Sequence, residues 1–167
     1  LYTAEDPAEA EISGIVNLNG TGSTRETYHV ELAVEADGFT YDPGAAIGVI
    51  PENDPALAAD VARAAGLDGD ASLVVKLARG FDITTLSRAT VETYAKLTGR
   101  KDVAALLDGD GLAKFAADRQ LVDFVTAYPE KLTSEQLLGL LRPLPGRLYS
   151  VASSIKAHPG EAHLLVG

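Results

Sequence analysis

Apolar and polar positions alternate near the start of the chain and again near its end; between these stretches the apolar positions recur at helical spacing. Residues 12–18 read as a strand, and residues 19–26, rich in Gly, Ser and Thr, as a loop. Tyr28, Val30, Leu32 and Val34 alternate with His29, Glu31 and Ala33, the period of a half-buried strand. Asp37 and Gly38 form a hairpin-turn pair, Pro43 and Gly44 a second turn, and residues 45–50 an apolar strand.

The period changes at Asp54. An Asp at the cap position followed by Pro55 in the first turn predicts a helix start, continued by Leu57, Val61, Ala64 and Ala65 and stopped by Gly66. From Ser87 the chain reads as helical for about fifty residues. Val91, Tyr94 and Ala95 make a stripe that ends at Gly99, and residues 101–108, 112–117 and 121–128 form three short helices. Thr133 and Gln136 form a capping box ahead of Leu137, Leu138, Leu140 and Leu141. Pro143 and Pro145 stop that helix, and strand character resumes at Arg147. The β–α–β order predicts a helical block inserted into a β-barrel, with the early strands pairing with those after Pro145.

Composition narrows the classes. With 46% hydrophobic and 23% charged residues the chain is globular. No apolar run approaches the roughly 20 residues of a membrane helix, and no signal-peptide pattern is visible. Cysteine is absent, which excludes disulfides, thiolate metal sites and cysteine nucleophiles and suits a cytoplasmic location. Methionine is absent even at position 1, and the chain stops at Gly167 straight after an apolar strand. The expectation is a piece of a longer protein. The net charge of −10 argues against a nucleic-acid partner, and an anionic ligand would need local positive charge.

One stretch supplies such a charge. RLYSVASS, residues 147–154, reads as a strand. Arg147, Tyr149 and Val151 then share one face, and Leu148, Ser150 and Ala152 the other. A guanidinium two residues from a phenol can hold an anion while the ring covers a flat heterocycle, and Ser150 offers a hydrogen bond to the heterocycle's edge. Without a ligand the same residues read as a surface Arg and a core Tyr. Ser153 and Ser154 read as turn residues. His29 and His163 fall in strands and His158 precedes Pro159 in a turn; no His pair has ligand spacing, so no metal is expected. Asp68 and Asp70, like Asp108 and Asp110, sit in Asp-Gly-Asp loops and read as turn residues, so no catalytic residue is assigned.

Residues 147–150 resemble the Arg-x-Tyr-Ser flavin-binding motif of the ferredoxin–NADP reductase superfamily. The longer run LLRPLPGRLYSVASS, residues 140–154, resembles the diflavin reductases, most closely those of the NADPH-dependent sulfite reductase type. Residues 29–61 and 161–167 are similar to further segments of that family in the same order. The resemblance implies an α+β fold: an antiparallel flavin-binding β-barrel, incomplete here, spanning residues 1–53 and 145–167 and interrupted by an all-α connecting domain at 54–144. It implies FAD as cofactor. Arg147 would face the pyrophosphate, Tyr149 would stack on the isoalloxazine, Ser150 would lie near flavin N5, and Leu148 belongs to the same motif. Thr84, in the segment FDIT, is similar to an FAD contact in the family's insert, with a helix-capping role equally open. Leu165, Val166 and Gly167 match the strand whose backbone borders the flavin ring. FMN and NADPH would be bound by domains absent from this chain, a flavodoxin domain and an NADPH-binding domain, with a haem or iron–sulfur protein as acceptor. The sequence departs from the family in lacking its Gly-x-x-Ser-type phosphate-binding segment. A different reading remains open: a non-catalytic connecting module that orients neighbouring domains and holds no cofactor.

Overall fold

The structure is a computed structural model that describes residues 6–167. The chain is α+β, and every paired strand is antiparallel. It divides into two compact units, one running up to Ile50 and resuming at Gly146–Gly167, the other Pro51–Pro145.

The first unit holds five strands: β1 (Ala10–Asn17), β2 (Tyr28–Val34), β3 (Ala46–Val49), β4 (Arg147–Ser150) and β5 (Glu161–Val166). β1, β2 and β5 form one sheet in that order, and β3 pairs with β4. A single bridge between Val151 and Leu164 ties the end of β4 to β5. Among the described residues these strands do not close into a barrel. The early strands do pair with those after Pro145, across the helical insertion. Alternation sets the faces: Leu32, Val151, Ala162 and Leu164 are buried together with Tyr41, while Ile12, Ile15 and Val16 of β1 stay exposed.

Two local expectations are corrected. The strand read over 147–154 ends at Ser150. Val151 makes only its one bridge, and the Ser154 carbonyl then accepts from the N–H groups of both Ala157 and His158 at 2.9 Å, which turns the chain. Asp37 and Gly38 do turn the chain, the Phe39 N–H donating to the Ala36 carbonyl at 3.1 Å, yet they close no hairpin. β2 already has β1 and β5 on its two edges, so β3 must pair elsewhere.

The second unit holds seven helices, α1 (Pro55–Ala64), α2 (Ala71–Gly80), α3 (Arg88–Thr98), α4 (Lys101–Ala105), α5 (Gly111–Ala116), α6 (Leu121–Ala127) and α7 (Ser134–Gly139), and one antiparallel bridge between Phe81 and Pro143. Side-chain caps start several of them. Asp54 accepts from the Ala56 N–H with Pro55 in the first turn, Ser87 accepts from the Thr90 N–H, and Thr133 with Gln136 closes the expected capping box. Gly99 ends α3 in the left-handed region, at φ 69°, where a side chain would be strained. α4 is shorter than expected because its last residues tighten into i→i+3 turns at Leu106, Leu107 and Asp108. The core centres on Tyr94 and Phe124, both fully buried, whose rings meet edge to face at 5.0 Å. Burial, with help from Glu130, pushes the Tyr94 hydroxyl up to about 12, and it donates to the Tyr128 carbonyl.

Candidate functional site

β4 is placed by its neighbour. Arg147 lies opposite Val49, Leu148 opposite Gly48, Tyr149 opposite Ile47 and Ser150 opposite Ala46. The alternation read from the sequence holds: Tyr149 and Val151 point to the apolar cluster of Leu32, Tyr41, Ala162 and Leu164, with Val151 buried and Tyr149 half-buried against it. Arg147 has the same parity but stays exposed at the strand's start. Leu148 is 78% exposed, since Gly48 offers no side chain across the pair to cover it.

Most guanidinium groups of the molecule are paired. Arg63, Arg79, Arg88, Arg100, Arg119 and Arg142 each pair with a carboxylate. Among the described residues the Arg147 guanidinium makes no ion pair and no hydrogen bond, and neither does the exposed Ser150 hydroxyl. On a chain of net charge −10, an unpartnered guanidinium is available to an anion. β4 thus carries a free cation at Arg147, a half-open phenol ring at Tyr149 and a free hydroxyl at Ser150.

The other expected residues fall as follows. In β5, Leu165 is exposed and Val166 half-buried opposite Tyr28, with Gly167 beside the Glu26 carbonyl. Thr84 belongs to the helical unit and is exposed there. It does not cap α3, a role taken by Ser87. Asp82 holds it instead: the Thr84 N–H and hydroxyl donate to one Asp82 oxygen at 3.1 and 3.0 Å, and the Thr85 N–H to the same atom at 3.0 Å. The other Asp82 oxygen accepts from Arg142 Nε at 3.0 Å and Nη2 at 2.7 Å. Burial alone would raise the Asp82 carboxyl; the guanidinium and the Thr84 and Thr85 donors together outweigh it and hold the group well below the usual carboxylate range. Sequence reading missed Asp82. Its signal was present as Asp-x-Thr, the local pattern of a side chain bonding the backbone two residues on. Asp70, read as a turn residue, caps α2 through the Leu73 N–H.

Comparison with known proteins identifies the family. The FAD binding domain family matches residues 2–107, more than half the chain, and the chain belongs to that family. Its cofactor is therefore FAD. The match ends before β4, but individual relatives align with nearly the whole chain. The "Sulfite reductase [NADPH] flavoprotein alpha-component" of Bacillus subtilis (strain 168) is 35% identical over 99% of the chain and 30% of its own length. The protein of the same description from Aliivibrio fischeri is 36% identical over 99% of the chain and 29% of its length. That from Pectobacterium atrosepticum is 39% identical over 92% of the chain and 27% of its length. The chain thus spans under a third of the length of these curated relatives.

Proposed function

We propose that this chain is the FAD-binding and connecting region of an NADPH-dependent diflavin oxidoreductase of the sulfite reductase type. The observation that carries the reading is the free guanidinium of Arg147 on the same strand face as Tyr149. Bound FAD would accept hydride from NADPH and release electrons one at a time towards FMN. The chain's own part is positional. Arg147 binds the diphosphate through charge-assisted hydrogen bonds, Tyr149 covers the ring plane and Ser150 offers its hydroxyl to the ring edge. Leu148 belongs to the same binding motif, and the β5 backbone at Leu165, Val166 and Gly167 borders the ring. Thr84 is proposed as a further FAD contact on the resemblance of its segment alone.

In this reading residues 1–53 and 145–167 belong to a flavin barrel completed by further strands, and residues 54–144 are its connecting insert. NADPH and FMN are held by other domains of a longer cytoplasmic protein, and a haem or iron–sulfur protein receives the electrons. The test is flavin content. The full-length Arg147→Ala protein, purified beside its parent, is expected to lose most of its FAD, read by released flavin per chain, while keeping its far-UV circular dichroism. Equal FAD in the two proteins rejects the assignment. A parent chain that is colourless and takes up no added FAD favours the cofactor-free connecting module.

A further inference from the structure

The face of β2 and β5 that points away from the first unit's apolar cluster carries His29, Glu31, Glu161 and His163 beside Ala33 and Leu165. Register puts Glu31 directly across from His163, with His29 two residues along β2 and Glu161 two residues along β5 on the same face. His158 arrives from the turn before β5. That turn reads His-Pro-Gly-Glu: Pro159 presets its first central position, Gly160 takes φ 78°, which only glycine adopts without strain, and the Glu161 N–H closes onto the His158 carbonyl at 3.2 Å. The turn therefore brings the side chains of His158 and Glu161 together.

The resulting distances are short. Glu161 Oε2 lies 3.1 Å from His163 Nε2 and 3.4 Å from His158 Nδ1. The His158 and His163 rings have centroids 4.3 Å apart, and the His29 ring meets His163 edge to face at 5.0 Å. Ligand atoms about 2.0–2.1 Å from a tetrahedral zinc ion stand about 3.3–3.4 Å from one another. The separations around Glu161 Oε2 are close to that edge length. His29, Glu31 and His163 form a second group whose donor atoms all lie within 4.8 Å, sharing His163 with the first.

The backbone beneath is held firmly. The His163 N–H donates to Ser153 Oγ at 3.0 Å, Ser153 Oγ lies 2.6 Å from the Tyr41 hydroxyl, and that hydroxyl donates to the Glu161 carbonyl at 2.8 Å. His163 itself is buried. Two ligand-bearing residues of β5 are thus fixed before any ion arrives, which lowers the ordering cost of binding. Two imidazoles and one carboxylate are a nitrogen–oxygen set that suits a borderline divalent ion better than calcium or magnesium.

We propose that His158, Glu161 and His163 bind one divalent transition-metal ion of the zinc class, with His29 and Glu31 as the adjoining imidazole–carboxylate pair. The ion ties the turn before β5 to the sheet. The test uses the full-length protein, stripped with chelator and titrated with Zn2+ alone by calorimetry. One saturable Zn2+ per chain at this locus is expected, with affinity falling about tenfold or more in both His158→Gln and Glu161→Gln. His158 is exposed in a turn, so its variant keeps the fold. Zn2+ should also raise the unfolding midpoint of the parent and leave that of His158→Gln unmoved. Absence of saturable binding overturns the proposal, and so does binding that both variants leave within about twofold, since scattered surface carboxylates would then be the ligands.

Discussion

Asp82 offers a direct check on how the helical unit holds a candidate FAD contact. Asp82→Asn keeps the side chain's shape and removes its charge. The amide oxygen can still accept from the Thr84 and Thr85 N–H groups. The amide nitrogen would then face the Arg142 guanidinium, donor against donor, where two charge-assisted bonds now stand at 3.0 and 2.7 Å. Such bonds contribute about 1.5–3 kcal/mol each when desolvated. Arg142 is 61% exposed and recovers water, whereas Asp82 is 7% exposed and does not. A net loss of about 2–3 kcal/mol at neutral pH follows. The pH dependence has a definite sign. The folded carboxyl lies far below its unfolded value, so its contribution is complete above about pH 4 and falls as pH drops towards the folded value, by about 1.4 kcal/mol per unit. Urea unfolding of parent and variant, followed by far-UV circular dichroism at several pH values, reads both quantities. The difference should be largest near neutrality and mostly gone two units below pH 4. A difference below about 0.5 kcal/mol, or one flat with pH, refutes the argument.

Other outcomes follow from the packing. Phe124→Ala removes a fully buried ring that touches Tyr94, Phe115 and Tyr128, and should cost about 3–5 kcal/mol in the same urea measurement. Tyr41→Phe deletes the hydroxyl that links Ser153 to the Glu161 carbonyl, and should cost about 1 kcal/mol and speed hydrogen exchange at the His163 amide. A null effect in either measurement contradicts the burial or the network on which it rests.

Much of the local structure was legible because its causes are local. The cap residues Asp54 and Thr133 act within three positions of themselves, and the alternation of β2 is a property of one strand. α2 escaped notice, although its cap Asp70 and the Leu73–Leu77 spacing were present, because the Asp-Gly-Asp sequence reads equally as a plain loop. For the candidate flavin strand, the pairing of faces at Arg147, Tyr149 and Val151 was readable from period alone. That Arg147 lacks a carboxylate partner was not, since ion pairing depends on residues far away in sequence.

The histidines mark the limit most clearly. Along the chain, His29, His158 and His163 show no ligand spacing. Strand register then sets His163 across from Glu31, and a proline–glycine turn folds His158 onto Glu161. The linear pattern alone determined the β–α–β order, the helix starts and the strand faces, because each arises from neighbours a few residues apart. Only the tertiary structure decided which strands meet, that the Arg147 guanidinium stays free and which imidazoles converge, because hydrogen-bond register joins positions more than a hundred residues apart.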